Sequence, residues 1–590
     1  MLEARFDDLT QPSRSFRLVR PVGMLEALRP DEVEGVIAAA EGAAARGLWV
    51  AGFVAYEAAA GLDPAMAVRA RAAEDPFARL PLAWFSMFED RERTALPEPH
   101  DGAPASDSGA WRPSVDRPAY DAAIATIRNH IAAGDTYQVN HTIRLRSVIE
   151  GDERGLYRDL CYAQRGAYAG FLNLGRYRVL SASPELFFEI DDGRITTRPM
   201  KGTAPRGRWP AEDDAVAAAL RGSVKDRAEN AMIVDLLRND IGRVARIGSV
   251  TWSDVFDLER YETVWQLTST VAADLDPAAT LVEVFRALFP CGSVTGAPKL
   301  RTMEIIADLE DSPRGPYCGA VGFLSPPGAD APPARFNVPI RTVVLDAETR
   351  IAEYGVGGGI TWDSSAQGEY DETVAKARVL TARRPRFELY ETLRHDPGEG
   401  FRHLDRHLAR LRASSAYFSF ELDESAAIEA LTKAAERIPD RPARVRVSVD
   451  RQGRADAGAT ALVMSSEHVR VAIDRDHPVD PADPMLFHKH SLRDVYEQAR
   501  ARHPDADDVL LVNDRGEITE STIANVAIRR AGSWVTPPLE SGLLPGIGRE
   551  IALEEGWLLE APIRVEDLAD ADEIQLVSDV RGRRPVALIE

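Results

Sequence analysis

Apolar residues recur at helical spacing at Tyr120, Ile124, Ile127 and Ile131, which predicts a helix over 120–133 with Gly134 as its stop. Residues 177–190 and 196–199 instead read as strands, separated by the turn Asp191-Asp192-Gly193. Leu404, Leu408 and Leu411 predict an amphipathic helix in HLDRHLARL, with Arg406 and Arg410 one turn apart on it. The pattern breaks twice. Residues 91–118 are rich in Pro, Ala, Ser, Asp and Gly without apolar periodicity and read as a linker-like loop. At 382–386 a helical pattern stops in ARRPR, and a strand-like run begins at Phe387. No internal repeat is visible. The expected organisation is a mixed α/β (α+β) chain of two domains. The first covers 1–383, with an amino-terminal part (1–90), the loop (91–118) and a core (119–383). The second covers 384–590.

Length supports more than one core, because 590 residues exceed what a single hydrophobic core organises. The formal charge of −22 argues against a duplex nucleic-acid partner, which needs a basic footprint, but leaves room for a local Arg/Lys pocket that takes a small anion. Cys161, Cys291 and Cys318 form no CxxC pair and no zinc spacing. The residues after Met1 include Glu3, Asp7 and Asp8 rather than a basic leader, and the most apolar stretch, 47–62, is interrupted by Glu57. No membrane partner and a cytoplasmic location are therefore expected.

Three segments between Ser181 and Asp240 carry residue types suited to chemistry. SASPELFF places Glu185 after a proline at the start of an apolar strand, and RPMKGTAPRG sets Lys201 before Gly202 and Thr203. KDRAENAMIVDLLRND reads as a helix whose Glu229, Asp235 and Asp240 flank an apolar stripe. Farther on, QGEYDETVAKAR puts Glu369, Glu372 and Lys376 on roughly one helical face. Any one of these glutamates could be a solvated helix charge. Two helical sets, together with a lysine in a Gly/Pro turn, favour a divalent-metal site that binds an oxyanion.

These segments, with IAAGDTYQVNHT, GSVTGAPKLRTMEII, YCGAVGFL and NVPIRT, stand in an order that resembles the chorismate-utilising enzymes over about 119–380. That family includes anthranilate, isochorismate and salicylate synthases and aminodeoxychorismate synthase component I. The resemblance implies a two-layered α/β sandwich. Lys201 in PMKGT resembles the aminodeoxychorismate branch, where lysine is the covalent nucleophile. By the same resemblance Glu185 is the general acid, Glu229 and Glu372 bind magnesium, and Glu369 acts on the metal through water. Arg341 and Lys376 would pair with the carboxylates of chorismate, while Gly296 and Thr203 would help bind it. Gln266 departs from the family, since many relatives have histidine two residues before Thr268 and Ser269. VAGFVAYEAAAGLD resembles the amino-terminal part of fused aminodeoxychorismate synthases, and no Leu-Leu-Glu-Ser motif for tryptophan inhibition is seen.

The second half carries FELYETLRHD, FHKHSLRDVYEQA, DVLLVNDRGEITESTIANVAI, VTPPLESGLLPGIGRE and EIQLVSDVRGRRPV. In order and spacing these resemble the class IV aminotransferase family, which includes branched-chain and D-amino-acid aminotransferases and aminodeoxychorismate lyase. The resemblance implies a two-subdomain α/β domain of PLP fold type IV and a homodimer formed through it. Lys489 would carry pyridoxal 5'-phosphate; Lys433, the other lysine of the domain, lies on a helix-like stretch without the motif. Glu520 would keep the pyridine nitrogen protonated. Arg410, the amide of Ile547 and Thr522 would hold the phosphate. Gly548 stands where relatives often have threonine, and Asn525 matches a structural position.

Together the two resemblances imply amination of chorismate to 4-amino-4-deoxychorismate, followed by pyruvate elimination to 4-aminobenzoate for folate. The ammonia would come from a separate glutamine amidotransferase or from solution. The alternatives are a true amino-acid transaminase or a non-catalytic docking module in the second half.

Overall fold

The computed structural model describes residues 2–95, 106–381, 386–463 and 468–589. Part of the expected loop (96–105) and most of the ARRPR junction (382–385) lie outside the described residues. The chain forms two compact units, one of Met1–Pro205 with Ala217–Arg386 and one of Arg206–Val216 with Phe387–Glu590.

In the first unit the helix Arg117–Ala132 starts at Asp116, whose carboxylate accepts the Ala119 N–H, and is followed by Gly134 at φ +80°. Tyr120, Ile124 and Ile127 are buried on it, as the spacing predicts. The strand-like run 177–190 is two strands, Tyr177–Ser183 and Leu186–Asp191, parted at the proline that precedes Glu185. Pro184 has no N–H for a ladder, so the strand breaks there and Glu185 falls in the gap. Among the described residues, nineteen strands of this unit are joined by continuous pairing. Glu3–Asp7 pairs with Tyr168–Asn173, and Trp49–Val54 with Ala320–Leu324, so the amino-terminal part is built into the sheet that carries the core. Phe6, Phe16, Trp49 and Phe323 close an aromatic cluster there. The apolar stretch 47–62 is this buried strand and a short helical turn. No helix among the described residues is long and apolar enough to cross a membrane.

Among the described residues the second unit holds two sheets. In one, Leu389–Asp396, Ala443–Val449 and Ala455–Ala461 run side by side under the helices Leu404–Phe418 and Glu424–Ala435. The other has eight strands, including Asp508–Asn513, Ile518–Ser521, Asn525–Arg530 and Glu573–Ser578. Ala443, Val445, Val447 and Val449 are buried while Arg444 and Arg446 are exposed, the two-residue period of a strand with one face in the core.

Where the sequence places a single break after residue 383, this unit also takes in Arg206–Val216. Trp209 packs on Phe487 with ring centroids 5.0 Å apart, Tyr417 Oη donates to the Gly207 carbonyl at 2.7 Å, and Arg208 Nη1 donates to the Pro481 carbonyl at 3.1 Å. Removing the indole strips an aromatic contact from a half-buried position. Trp209→Ala should therefore cost the second unit about 1–2 kcal/mol, read as a lower thermal midpoint for unfolding of that unit.

Two candidate active sites

The first unit encloses a cavity of about 310 Å³. Glu185, Lys201, Thr203, Glu229, Arg341, Glu369, Glu372 and Lys376, all expected site residues, line it. They come from separate elements. Lys201 lies on Met200–Pro205, whose register against Val264–Asp274 shifts between Met200 and Thr203. A bulge of this kind re-aims a side chain, and Gly202 takes it at φ +88°, where a Cβ would stand 2.9 Å from that of Asp226. Gln266, the departure from the family, ties this turn down. Its Nε2 donates to the Gly202 carbonyl at 3.0 Å and its Oε1 accepts Thr203 Oγ1 at 2.9 Å.

Burial lowers the Lys201 pKa, against the charge of Glu229 and with that of Lys376. Burial likewise pushes the Glu185 carboxyl up to about 7, although Ser293 Oγ donates to it at 2.6 Å. A carboxyl that can hold a proton near neutrality and an amine that can lose one therefore share one cavity.

Glu229 comes from Val224–Gly242, and Glu369, Glu372 and Lys376 from Ala366–Ala377. Asp235 and Asp240 of the first helix are paired elsewhere, with Arg238 and Lys299. Glu372 pairs with Lys376 Nζ at 2.6 Å, and Glu369 accepts Ser364 Oγ at 2.6 Å. Among the described residues no group of three or more His, Cys, Asp or Glu is drawn close enough to hold a metal ion as it stands. The donor chemistry nevertheless fits one. Burial raises the pKa values of Glu229 and Glu369, and the charge of Glu372 raises each further. Against its burial, Lys376 holds the Glu372 carboxyl below its ordinary value, and an ionised Glu372 that raises two further carboxyls in one cavity is a charge excess that a divalent cation neutralises.

Arg341 Nη1 donates to the Lys376 carbonyl at 2.9 Å. The expectation for Gly296 is corrected. It pairs with Val139 in a short strand outside the cavity wall, and a Cβ there would meet the Gln138 carbonyl oxygen at 2.0 Å. Glycine at this place serves the approach of two backbones, and the cavity contact of the GSVTG turn comes from Ser293 and Val294. The floor of the cavity, Gly357, Gly358 and Gly359, was missed. A Cβ on Gly359 would stand 2.9 Å from Lys201 Nζ, and one on Gly358 3.2 Å from Glu369 Oε2. Three consecutive glycines in a strand were the available signal.

The second unit holds a cavity of about 460 Å³ lined by Lys489, Glu520, Arg410, Thr522 and Ile547. Lys489 is pinned through its backbone, since its carbonyl accepts the Tyr390 N–H at 3.0 Å. Its Nζ lies 5.0 Å from the centroid of the Tyr390 ring, and burial lowers its pKa. Glu520 is buried, its carboxyl is pushed up to about 7, and it accepts Tyr496 Oη at 2.9 Å. A cationic ring nitrogen beside it would pull that value down. Arg410 is held by two 2.8 Å bonds to Glu391 and one to the Pro545 carbonyl, which leaves further N–H groups on its guanidinium.

Gly546 caps the helix Ile547–Glu554, whose first amides have no partner inside the helix and so suit a phosphate. Gly548 follows from packing, because a Cβ there would stand 2.8 Å from the Asp579 nitrogen. Thr522 does not offer the expected donors, since its N–H and hydroxyl both go to Asp508 Oδ1 at 3.1 and 2.6 Å. Asn525 Nδ2 donates to the Leu544 carbonyl at 2.9 Å, a structural role. Lysine, buried acid, arginine and helix amides thus fit a phosphorylated pyridine cofactor. Tyr390 and Tyr496 escaped the sequence reading because they look like ordinary apolar-face aromatics.

A family model described as chorismate binding enzyme matches residues 9–382, and one described as amino-transferase class IV matches residues 388–589. Aminodeoxychorismate synthase of Streptomyces griseus is 44% identical over 304 residues, covering 51% of this chain and 41% of that protein. Aminodeoxychorismate synthase component 1 of Salmonella typhimurium is 42% identical over 274 residues, covering 46% of this chain and 59% of that protein. The chain spans about half the length of the curated relatives it matches. Among solved structures, anthranilate synthase component I from Streptococcus pneumoniae matches with a TM-score of 0.53 at 26% identity, covering 62% of this chain and 92% of that one.

Proposed function

This chain belongs to the chorismate-binding enzyme family, with a class IV amino-transferase region after it, and on that premise we propose that it makes 4-aminobenzoate in two steps. The first unit aminates chorismate to 4-amino-4-deoxychorismate, and the second eliminates pyruvate from that product. The observation that carries the reading is the burial of Lys201 and Glu185 in one carboxylate-lined cavity.

In the amination, Lys201 Nζ attacks ring C2 while the C4 hydroxyl leaves as water with the Glu185 proton. Ammonia then attacks C4 and expels the lysine from C2. Arg341 and Lys376 face the substrate carboxylates, and magnesium would be held by Glu229 and Glu372, with Glu369 reaching it through water. All three cysteines are buried with thiols pushed up, those of Cys291 and Cys318 to about 12 and 11, which suits none of them to a glutaminase nucleophile. That supports ammonia from a separate amidotransferase, as does the name component 1 among the relatives.

In the second cavity pyridoxal phosphate would supply an electron sink for the C4–H bond. Lys489 would hold the cofactor and then carry the C4 proton, Glu520 would hold the proton on the ring nitrogen, and Arg410 with the Ile547 amide would anchor the phosphate.

The test is to incubate the chain, loaded with pyridoxal phosphate, with chorismate, ammonium and magnesium and to identify products by mass. 4-Aminobenzoate and pyruvate are expected without any keto-acid acceptor. Release only when an acceptor is present would make the second unit a transaminase. Chelating magnesium should stop the amination and leave elimination from supplied 4-amino-4-deoxychorismate running.

The acid role of Glu185 has a pH signature. Its protonated form is the working one, so amination should fall as pH rises through about 7. Ser293 stabilises the ionised form, and its loss moves the pKa up. Ser293→Ala should shift this alkaline decline upward by about one pH unit, measured as the pH profile of kcat for chorismate.

A further inference from the structure

The second cavity holds more positive charge than a lysine and a phosphate anchor account for. Arg444, Arg446 and Arg581 also line it, and among the described residues none of the three pairs with a carboxylate. Their placement is built into the fold. Arg444 and Arg446 share the outward face of Ala443–Val449, whose other face packs Val445 and Val447 into the core. Across the sheet Arg446 stands opposite Thr392, on the face that presents Tyr390 to the cavity. Its guanidinium lies 3.8 Å from the centroid of the Tyr390 ring, the same ring that Lys489 Nζ approaches at 5.0 Å. Arg446 and the lysine thus line one cavity and flank one ring of it.

These arginines are distinct from the phosphate anchor. Arg410 is clamped by Glu391, which alternates with Tyr390 and Thr392 along the strand and so leaves its other face. Burial, with Arg584 and Arg444 close by, holds the Arg581 guanidinium below its ordinary value, and only Asp508 opposes it. Cations that crowd one another without carboxylate partners lack an anion, and a planar fork suits a carboxylate.

We infer that Arg446, Arg444 and Arg581 form a recognition wall for the two carboxylates of the substrate, which makes dicarboxylates the substrate class of this cavity and sets it apart from sites for monocarboxylate amino acids. This rests on reading the second cavity as the cofactor-dependent elimination site. It adds an assignment that the reaction alone does not require, because bond breaking at C4 and C3 needs neither carboxylate to be held by arginine.

The test uses the full chain loaded with pyridoxal phosphate and two stable probes, 3-(carboxymethoxy)benzoate with two carboxylates and 3-methoxybenzoate with one. Binding is read as a perturbation of the cofactor's visible absorbance, which reports on this cavity and needs no turnover. The diacid should bind at least about tenfold more tightly than the monoacid. Arg446→Met should remove most of that preference and raise KM for 4-amino-4-deoxychorismate about tenfold or more. Arg446→Lys should keep part of both, and Arg444→Met should act in the same direction more weakly. An unchanged diacid preference in Arg446→Met and Arg444→Met overturns the inference, as does a loss of cofactor affinity in these variants, which would assign the arginines to the phosphate. If the unaltered chain prefers the diacid yet releases no pyruvate, the elimination reading fails and the dicarboxylate site stands.

Discussion

Lys201→Ala should lower amination of chorismate by on the order of a thousandfold or more, the scale expected when a covalent nucleophile is removed. Chorismate should still bind, because Arg341, Lys376 and the glycine floor are untouched. The physical basis is that burial lowers the Lys201 pKa and so favours the neutral amine needed for attack. Lys201→Arg separates nucleophile from charge. A guanidinium stays cationic at every accessible pH, so this variant should be as inactive as alanine. The same variants should convert supplied 4-amino-4-deoxychorismate to 4-aminobenzoate at the normal rate. The measurement is the initial rate of each product by mass. Normal amination in Lys201→Ala would remove the covalent route.

Lys489→Ala should abolish pyruvate and 4-aminobenzoate, and the aminated intermediate should accumulate at close to the unaltered rate. Lys489 is buried beside Tyr390 with a lowered pKa, which favours the neutral amine needed both to take up cofactor and to accept a proton. Alanine supplies neither. Visible absorbance of the cofactor should change together with the loss of pyruvate, which a docking module without catalysis would not show. Mixing Lys489→Ala with Lys201→Ala should restore flux through free diffusion of the intermediate. If Lys489→Ala also stopped amination in a folded chain, the separation of the two chemistries would be wrong.

Much of this arrangement was legible in the residues because it is local. The helix from Arg117 to Ala132 follows from apolar spacing, the Asp116 cap and Gly134 after its end, Ser223 and Ser365 cap the helices carrying Glu229 and Glu372, and leucine spacing marks the one bearing Arg410. The motif order placed the two lysines in separate cavities. The start of an apolar strand just after Pro184 was legible in SASPELFF, and the structure ends one strand at Ser183 and begins the next at Leu186.

What the sequence determined by itself is the set of elements, their order and the chemistry-bearing side chains, since propensity, periodicity and motif spacing act over a few residues. The tertiary structure decided which of those side chains meet. Glu185 finds Ser293, 108 positions away in the chain, and Gly359 clears space for Lys201 across the cavity. Gly296 turned out to serve backbone approach, Thr522 was taken by Asp508, and Arg206–Val216 joined the second unit through Trp209 and Phe487. Arg444 and Arg446 look like ordinary strand charges until the sheet turns their face toward Tyr390. Each of these outcomes depends on strand pairing and packing between residues distant in the chain, and burial then sets the pKa values that make Lys201 and Glu185 a chemical pair.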